Sequence, residues 1–354
     1  MSSDDAAGTH DFVPLRTTSR SSCPLCGRAG ERLYDELRDG IFGVPGTWGM
    51  RRCPETGCGA LWLDPQPVEE DLPRAYERYY THDSPEASGA GMSRRAAARV
   101  AGALAFRHGP GQNRVPWRDR VVGALLLLHP GWRAQIDMRS ACLPPLGGGR
   151  LLEVGCGNGR MLEELAALGW QVAGVETDPA AVCAARQRGL EVHAGDLATA
   201  AFPAASCDLV LLMHVIEHVP DPRDLLRECH RVLRPGGRLV VATPSIDSRG
   251  LRRFGRHWRG LEPPRHLTLF GAAALLALAR QTGFPQAKVR STIRGAAGMY
   301  RASRQLERTG SCMETPRERL VARLRWHPDH LAAWIAQRRE PGSGEELLLV
   351  APRP

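Results

Sequence analysis

At 354 residues, with 43% hydrophobic side chains, the chain is long for one compact domain and apolar enough for at least one sizeable core. The formal charge is +9, 46 of the 47 basic residues are arginine, and Lys288 is the sole lysine, a composition that a GC-rich genome accounts for. Met1 to Phe12 is polar and acidic rather than leader-like, and the apolar run Val121 to Leu128 is too short to span a bilayer, so the chain reads as soluble and cytoplasmic. Of the ten cysteines, Cys156, Cys183, Cys207 and Cys229 fall inside patterns of buried strands or helices, which argues against a disulfide framework.

Taken in chain order, residues 1–22 read as a disordered tail. Next, Cys23-Pro24-Leu25-Cys26-Gly27 is followed by Cys53-Pro54-Glu55-Thr56-Gly57-Cys58-Gly59. Two such knuckles joined by short strands describe a zinc ribbon over 23–66, in which four thiolates (Cys23, Cys26, Cys53, Cys58) close a tetrahedral structural Zn2+ site. Residues 67–148 are helical in pattern, broken at Gly109-Pro110-Gly111 and His129-Pro130-Gly131. Arg94-Arg95 and Arg118 to Arg120 flank apolar helical faces there, whose expected use is core packing rather than peripheral membrane contact.

From Gly149 the pattern changes to alternating strands and helices, which calls for a parallel sheet covered on both faces. The run Leu151-Leu152-Glu153-Val154-Gly155-Cys156-Gly157-Asn158-Gly159 is an apolar strand, a glycine loop and the start of a helix. Glycines at 155, 157 and 159 let a backbone turn tightly and approach a ligand with no Cβ in the way. A second strand, 171–176, ends in Glu176, placed where an acid can accept both hydroxyls of a ribose. Further elements are expected at helix 179–188, strand 190–193, the Gly195-Asp196-Leu197 turn, strand 207–213, helix 221–233, strand 237–243, helix 270–282, strand 286–291 and a terminal strand 346–351. The spacing acid-x-Gly-x-Gly-x-Gly, with its third glycine one residue early for Gly-x-Gly-x-x-Gly, disfavours a dinucleotide.

Over about 149–244 the sequence resembles the class I S-adenosylmethionine-dependent methyltransferases. The resemblance implies an α/β, Rossmann-like seven-stranded core (149–291 plus 344–354), here with an N-terminal zinc ribbon and helical segment and a basic helical insertion, 292–343, before the last strand. It implies S-adenosyl-L-methionine as cofactor, with Glu153 near its methionine end, Gly155, Cys156, Gly157 and Gly159 as cradle, Glu176 on the ribose, and Asp196, Leu197 and Met213 around the rest.

Met213-His214-Val215-Ile216-Glu217-His218-Val219-Pro220 resembles the corresponding stretch of ubiquinone-biosynthesis O-methyltransferases. That family has an acid at the place of His214, and with Glu217 and His218 the trio can hold a divalent ion; His214 puts a catalytic metal in doubt. His214, Glu217 and His218 also spell H-x-x-E-H, but a strand ending directly before and Pro220 closely after leave no helix for a protease site. His218 is the candidate general base, since a neutral imidazole can take a proton from a hydroxyl nucleophile. In Trp258-x3-Glu262-Pro263-Pro264-Arg265-His266, the prolines would aim Arg265 and His266 at the sheet's carboxyl edge, either to clamp an acceptor or to serve as a structural cap.

Charge sharpens the acceptor class. Residues 245–343 carry 19 basic and 7 acidic side chains, more than the whole net charge, and arginine forks suit phosphate or carboxylate. The expected function is methyl transfer to a small-molecule hydroxyl on a sugar, glycan precursor or secondary metabolite, an anionic one being favoured. The alternative is an RNA methyltransferase gripping nucleic acid with ribbon and basic insertion, against which stands an aromatic content of 6% with no interleaved platform.

Overall fold

The computed structural model describes residues 14–77, 100, 103–104, 116–142, 148–312 and 316–354. Short strands open the chain: β1 (Thr17–Thr18), β2 (Glu31–Leu37), β3 (Trp48–Arg52), β4 (Leu61–Leu63) and β5 (Gln66–Pro67), followed by a 3-10 segment at Glu69–Tyr76. Helices α1 (Trp117–Leu126) and α2 (Pro130–Ala141) lead into the core. The core runs β6 (Gly149–Val154), α3 (Arg160–Ala166), β7 (Trp170–Glu176), α4 (Pro179–Gln187), β8 (Val192–Ala194), β9 (Cys207–Met213), α5 (Pro222–Val232) and β10 (Leu233–Pro244). After it come α6 (Arg249–Phe254), β11 (Thr268–Leu269), α7 (Ala272–Gln281), β12 (Lys288–Thr292), α8 (Ala296–Thr309), α9 (Pro316–Arg339) and β13 (Glu346–Pro352).

Seven strands form one sheet in the order β12-β13-β10-β9-β6-β7-β8. All neighbours in it are parallel except those of β13, which runs antiparallel to both β10 and β12. Leu151, Leu152, Leu209, Val210, Leu211, Leu212, Val240 and Val241 are almost wholly buried, as strands covered on both faces require. Strand order reverses between β6 and β9, the place where open α/β sheets leave a crevice beyond their carboxyl ends. The helices start where local chemistry dictates. Asp178 and Asp221 each precede a proline at the first helical position and accept the early N–H groups of α4 and α5.

Three expectations are corrected. Residues 14–22 are not a tail: β1 pairs with β5, and the Arg16 N–H donates to the buried Asp71 carboxylate at 2.7 Å. The strand expected from 190 begins at Val192, because Gly189 (φ +78°) and the Leu190 N–H, bonded to Ala185 O, still close off α4. The ribbon, expected over 23–66, draws a strand from outside those bounds. β11, from beyond the fifth core strand, pairs antiparallel with β4 and completes a four-stranded sheet β11-β4-β3-β2.

A second hydrophobic core forms at that junction, where Trp48, Met50, Leu61 and Leu63 of the ribbon sheet meet Phe254, Trp258, Leu261 and Tyr300. Burying each such side chain stabilises by about 1.5–3 kcal/mol, so ribbon and core are fused by packing as well as by strand pairing. The call on Arg94-Arg95 lies outside the described residues.

Candidate active site

The glycine loop follows β6. Gly155, Gly157 and Gly159 all have positive φ (+68°, +53° and +79°), and a Cβ on Gly155 or Gly159 would come within 2.5 Å of Val215 Cγ2 or 2.3 Å of Leu190 Cδ1. Only glycine fits these positions. Gly155 N–H and Cys156 N–H both donate to Val175 O (2.8 and 3.2 Å), which ties the loop to the end of β7.

Glu176, nearly buried at that strand end, accepts from Gly157 N–H at 2.8 Å through Oε2 and from Thr177 and Asp178 N–H at 2.8 and 2.9 Å through Oε1. Its carboxylate therefore shapes the loop and closes it. Glu153, 2% exposed, leaves Oε2 without a hydrogen-bond partner, and burial, with Glu176 beside it, pushes its carboxyl well above the ordinary range. An orphaned buried carboxylate oxygen beside a Cβ-free cradle fits a ligand carrying positive charge, as S-adenosylmethionine does. Asp196 Oδ1 accepts from Thr199 N–H and Oγ1–H, both at 2.7 Å, so it caps its own turn; Leu197 is buried and Met213 half-buried.

A second cluster of polar side chains begins one residue past β9. His214 has φ +56°, and its ring lies between two carboxylates: Nδ1 is 3.2 Å from Glu217 Oε1 and Nε2 is 3.1 Å from Glu346 Oε1. Burial alone would lower its pKa, but these bonds raise it to about 9; Arg294 Nη2 also lies 3.2 Å from Nε2. Arg294 donates to the same Glu346 through Nε (2.8 Å) and Nη2 (3.1 Å). The acid that completes a divalent-ion trio with the counterparts of Glu217 and His218 in the resembling family is replaced here by His214, both of whose ring nitrogens face carboxylates.

Glu217 is fully buried, accepts from Thr243 Oγ1–H at 2.9 Å, and takes the Leu267 and Thr268 N–H groups on its backbone carbonyl at 2.8 and 3.2 Å. Those backbone bonds bring His266 under the loop. Glu217, His218 and His266 each offer an atom within 4.8 Å of the others, and the two imidazole rings meet edge to face at 4.7 Å. His266 Nδ1 is 2.7 Å from Gly260 O, which only accepts, so a proton sits there, while Nε2 lies 3.4 Å from Glu262 Oε2; burial depresses the ring's pKa to about 4 despite that carboxylate. Burial likewise lowers His218, so both rings are neutral at physiological pH.

Arg265 takes the structural role. It is wholly buried, gripping Asp39 bidentately at 2.8 Å and donating to Glu262 (3.1 Å) and Ala75 O (3.2 Å). Glu262, left-handed at φ +35°, also pairs with Arg259, and these charges, with His266, hold its carboxyl below the usual range although burial opposes them. The basic segment is similarly engaged: Arg252, Arg253 and Arg304 pair with Glu340, Glu307 and Asp329.

Several functional residues carried no signal in the sequence. Tyr76, Asp39, Arg294 and Glu346 lie far along the chain from the motifs they contact. Glu346 reaches His214 because β13 runs antiparallel, so its first residue sits at the carboxyl edge of the parallel strands. Two acids opening the apolar strand Leu347-Leu348-Leu349-Val350 were the one available cue.

At the N-terminus the four cysteine sulfurs lie within 4.8 Å of one another, with Cys23–Cys58 and Cys26–Cys53 separations of 3.7 and 3.4 Å. Thiolates about 2.3 Å from a tetrahedral zinc have edges of this size, so the donor set fits that ion.

A methyltransferase-domain family model matches residues 132–287. A probable S-adenosylmethionine-dependent methyltransferase of Mycolicibacterium smegmatis is 34% identical over 195 residues, covering 54% of this chain and 73% of that protein. A ubiquinone biosynthesis O-methyltransferase of Xanthomonas oryzae pv. oryzae is 41% identical over 125 residues, 33% of this chain; the match spans only about half, 51%, of that relative's length. Among solved structures, a methyltransferase of Thermotoga maritima described as a possible histamine N-methyltransferase aligns with TM-score 0.43 and 19% identity over 71% of this chain and 99% of its own. The chain belongs to the S-adenosylmethionine-dependent methyltransferases.

Proposed function

We propose that the protein transfers a methyl group from S-adenosylmethionine to a hydroxyl of a small molecule: a sugar, a glycan precursor or a secondary metabolite. One observation carries this reading. The glycine cradle and the Glu217–His218–His266 cluster follow adjacent parallel strands, β6 and β9, and so flank the same crevice at the strand-order reversal.

S-adenosylmethionine supplies a methyl group on a sulfonium centre, open to in-line displacement. Glu153 meets the charge of its methionine end, Gly155, Cys156, Gly157 and Gly159 line the cradle, Glu176 offers its remaining lone pairs to the ribose, and Asp196, Leu197 and Met213 border the rest. His218 Nε2 takes the hydroxyl proton as the acceptor oxygen becomes nucleophilic. Positioning contributes much of the acceleration in such displacements, and His266 with Glu217 holds the His218 ring in place. His214 acts through Glu217: its imidazolium keeps that carboxylate ionised. The name of the Xanthomonas relative, an O-methyltransferase, supports a hydroxyl acceptor.

An acidic group on the acceptor fits the arginine excess of 245–343, although several of those arginines are already paired. Zinc on Cys23, Cys26, Cys53 and Cys58 serves as a structural staple. A cytoplasmic setting agrees with cysteines that form no disulfide among the described residues. Among the described residues no helix is long and apolar enough to cross a membrane.

The test is a labelled-methyl assay against host lysate separated into nucleic-acid, lipid, glycan and small-molecule fractions. Label in the small-molecule or glycan fraction is expected, and label in RNA overturns the acceptor class. S-adenosylmethionine should raise the melting temperature, and no shift at saturating concentration would remove the cofactor assignment. Metal analysis should find about one zinc per chain; a metal-free, folded protein would dispose of the staple. Acceptor binding that ignores salt would rule out an anionic substrate.

A further inference from the structure

We infer that Tyr76, from the N-terminal unit, is a positioning residue for His218, holding that imidazole with its proton on Nδ1 and its lone pair on Nε2. This rests on the methyl-transfer reading for its kinetic consequence, but not for its geometry. His218 Nδ1 lies 3.1 Å from Arg265 O and 2.9 Å from Tyr76 Oη. A backbone carbonyl only accepts, so Nδ1 must be the N–H, and the Tyr76 oxygen faces it as a second acceptor. Nε2 is then left as the basic atom. The ring has little freedom to turn, because Tyr76 packs edge-on at 5.9 Å between centroids and His266 at 4.7 Å.

Tyr76 is itself anchored. Its neighbour Ala75 is buried, and the Ala75 carbonyl accepts from Arg265 Nη1, whose guanidinium also grips Asp39. Arg265 therefore ties the N-terminal unit to the acceptor loop twice: its side chain holds Asp39 and Ala75, and its carbonyl holds His218. The acceptor site is composite. The core supplies His218, His266 and the Arg265 carbonyl that calls for a proton on Nδ1, and the segment before it supplies the hydroxyl that reinforces this tautomer and seats the ring.

The test uses full-length, zinc-loaded protein labelled with 15N-histidine, the His218 signals being assigned by their loss in His218→Gln. At pH 8 the wild type should show a protonated Nδ1 and an unprotonated Nε2, and Tyr76→Phe should shift the resonances toward a mixture of tautomers. In the transfer assay the same variant should lower kcat about five-fold to tenfold, the equivalent of one neutral hydrogen bond, with the affinity for S-adenosylmethionine unchanged. A wild-type His218 protonated on Nε2, or a Tyr76→Phe protein with wild-type tautomer signals, overturns the inference. If no fraction accepts methyl at all, the functional reading fails while the tautomer measurement still decides the role of Tyr76. Tyr76→Leu, which also removes the ring, separates packing from hydrogen bonding: loss of the tautomer preference in Tyr76→Leu but not in Tyr76→Phe would assign the effect to packing and overturn the hydroxyl's role.

Discussion

The two sides of the crevice are built in opposite ways. The cofactor side is made from backbone and from residues close in sequence: a loop of three left-handed glycines and one carboxylate, Glu176, that accepts three nearby N–H groups. The acceptor side is made from side chains drawn together across the fold, with His214 and Glu217 after β9, His266 before β11, Glu346 at the start of β13, Arg294 after β12 and Tyr76 from before the core. A backbone cradle can serve any reaction of one cofactor. A side-chain cluster can be revised residue by residue.

The largest expected effect tests whether the acceptor side depends on the N-terminal unit for its existence. Arg265→Gln leaves Asp39 and Glu262 as buried carboxylates without their shared partner, and removing one member of such a group costs about 3–5 kcal/mol. Chemical denaturation should show that loss. A variant as stable as the wild type would mean that packing and the β11–β4 pairing join ribbon and core without help from the buried ion pairs.

Gly155→Val comes next. Its Cβ would enter Val215 at 2.5 Å with φ at +68°, and the affinity for S-adenosylmethionine should fall about 100-fold by calorimetry, on the order of 3 kcal/mol. His218→Gln should do the reverse, lowering kcat about 30- to 100-fold while cofactor affinity stays within about two-fold. If His218→Gln weakened cofactor binding as much as Gly155→Val, the division into two sides would collapse.

The smallest effect concerns pH. The folded pKa of His214, about 9, is above its unfolded value near 6.5, so its bonds to Glu217 and Glu346 stabilise fully below pH 6.5 and are lost as pH rises through 9. The melting temperature of the wild type should converge on that of His214→Gln across this interval. A constant difference between the two would show that the ring is neutral throughout, its Nε2 accepting from Arg294.

Legibility in the sequence followed the same division. Glu153, the three glycines and Glu176 could be placed because each acts through local backbone geometry, which short-range spacing reports. Arg265 stayed open between an acceptor clamp and a structural cap for the opposite reason: an arginine after two prolines carries no local sign of whether it faces a crevice or a buried aspartate 226 residues earlier. The pairing of β11 with β4 was equally silent, since two residues, Thr268–Leu269, are too few for a period-two pattern.

By itself, then, the sequence determined the alternating core, the cofactor loop and the four-cysteine cluster, because those depend on periodicity, on glycine's freedom of φ and on the spacing of ligands along a short segment. Only the tertiary structure decided that His214 lies between two carboxylates, that Arg265 is a buried tie, and that Tyr76 reaches His218. These contacts depend on strand order and on the antiparallel sense of β13 and β11, which bring distant residues to one edge of the sheet.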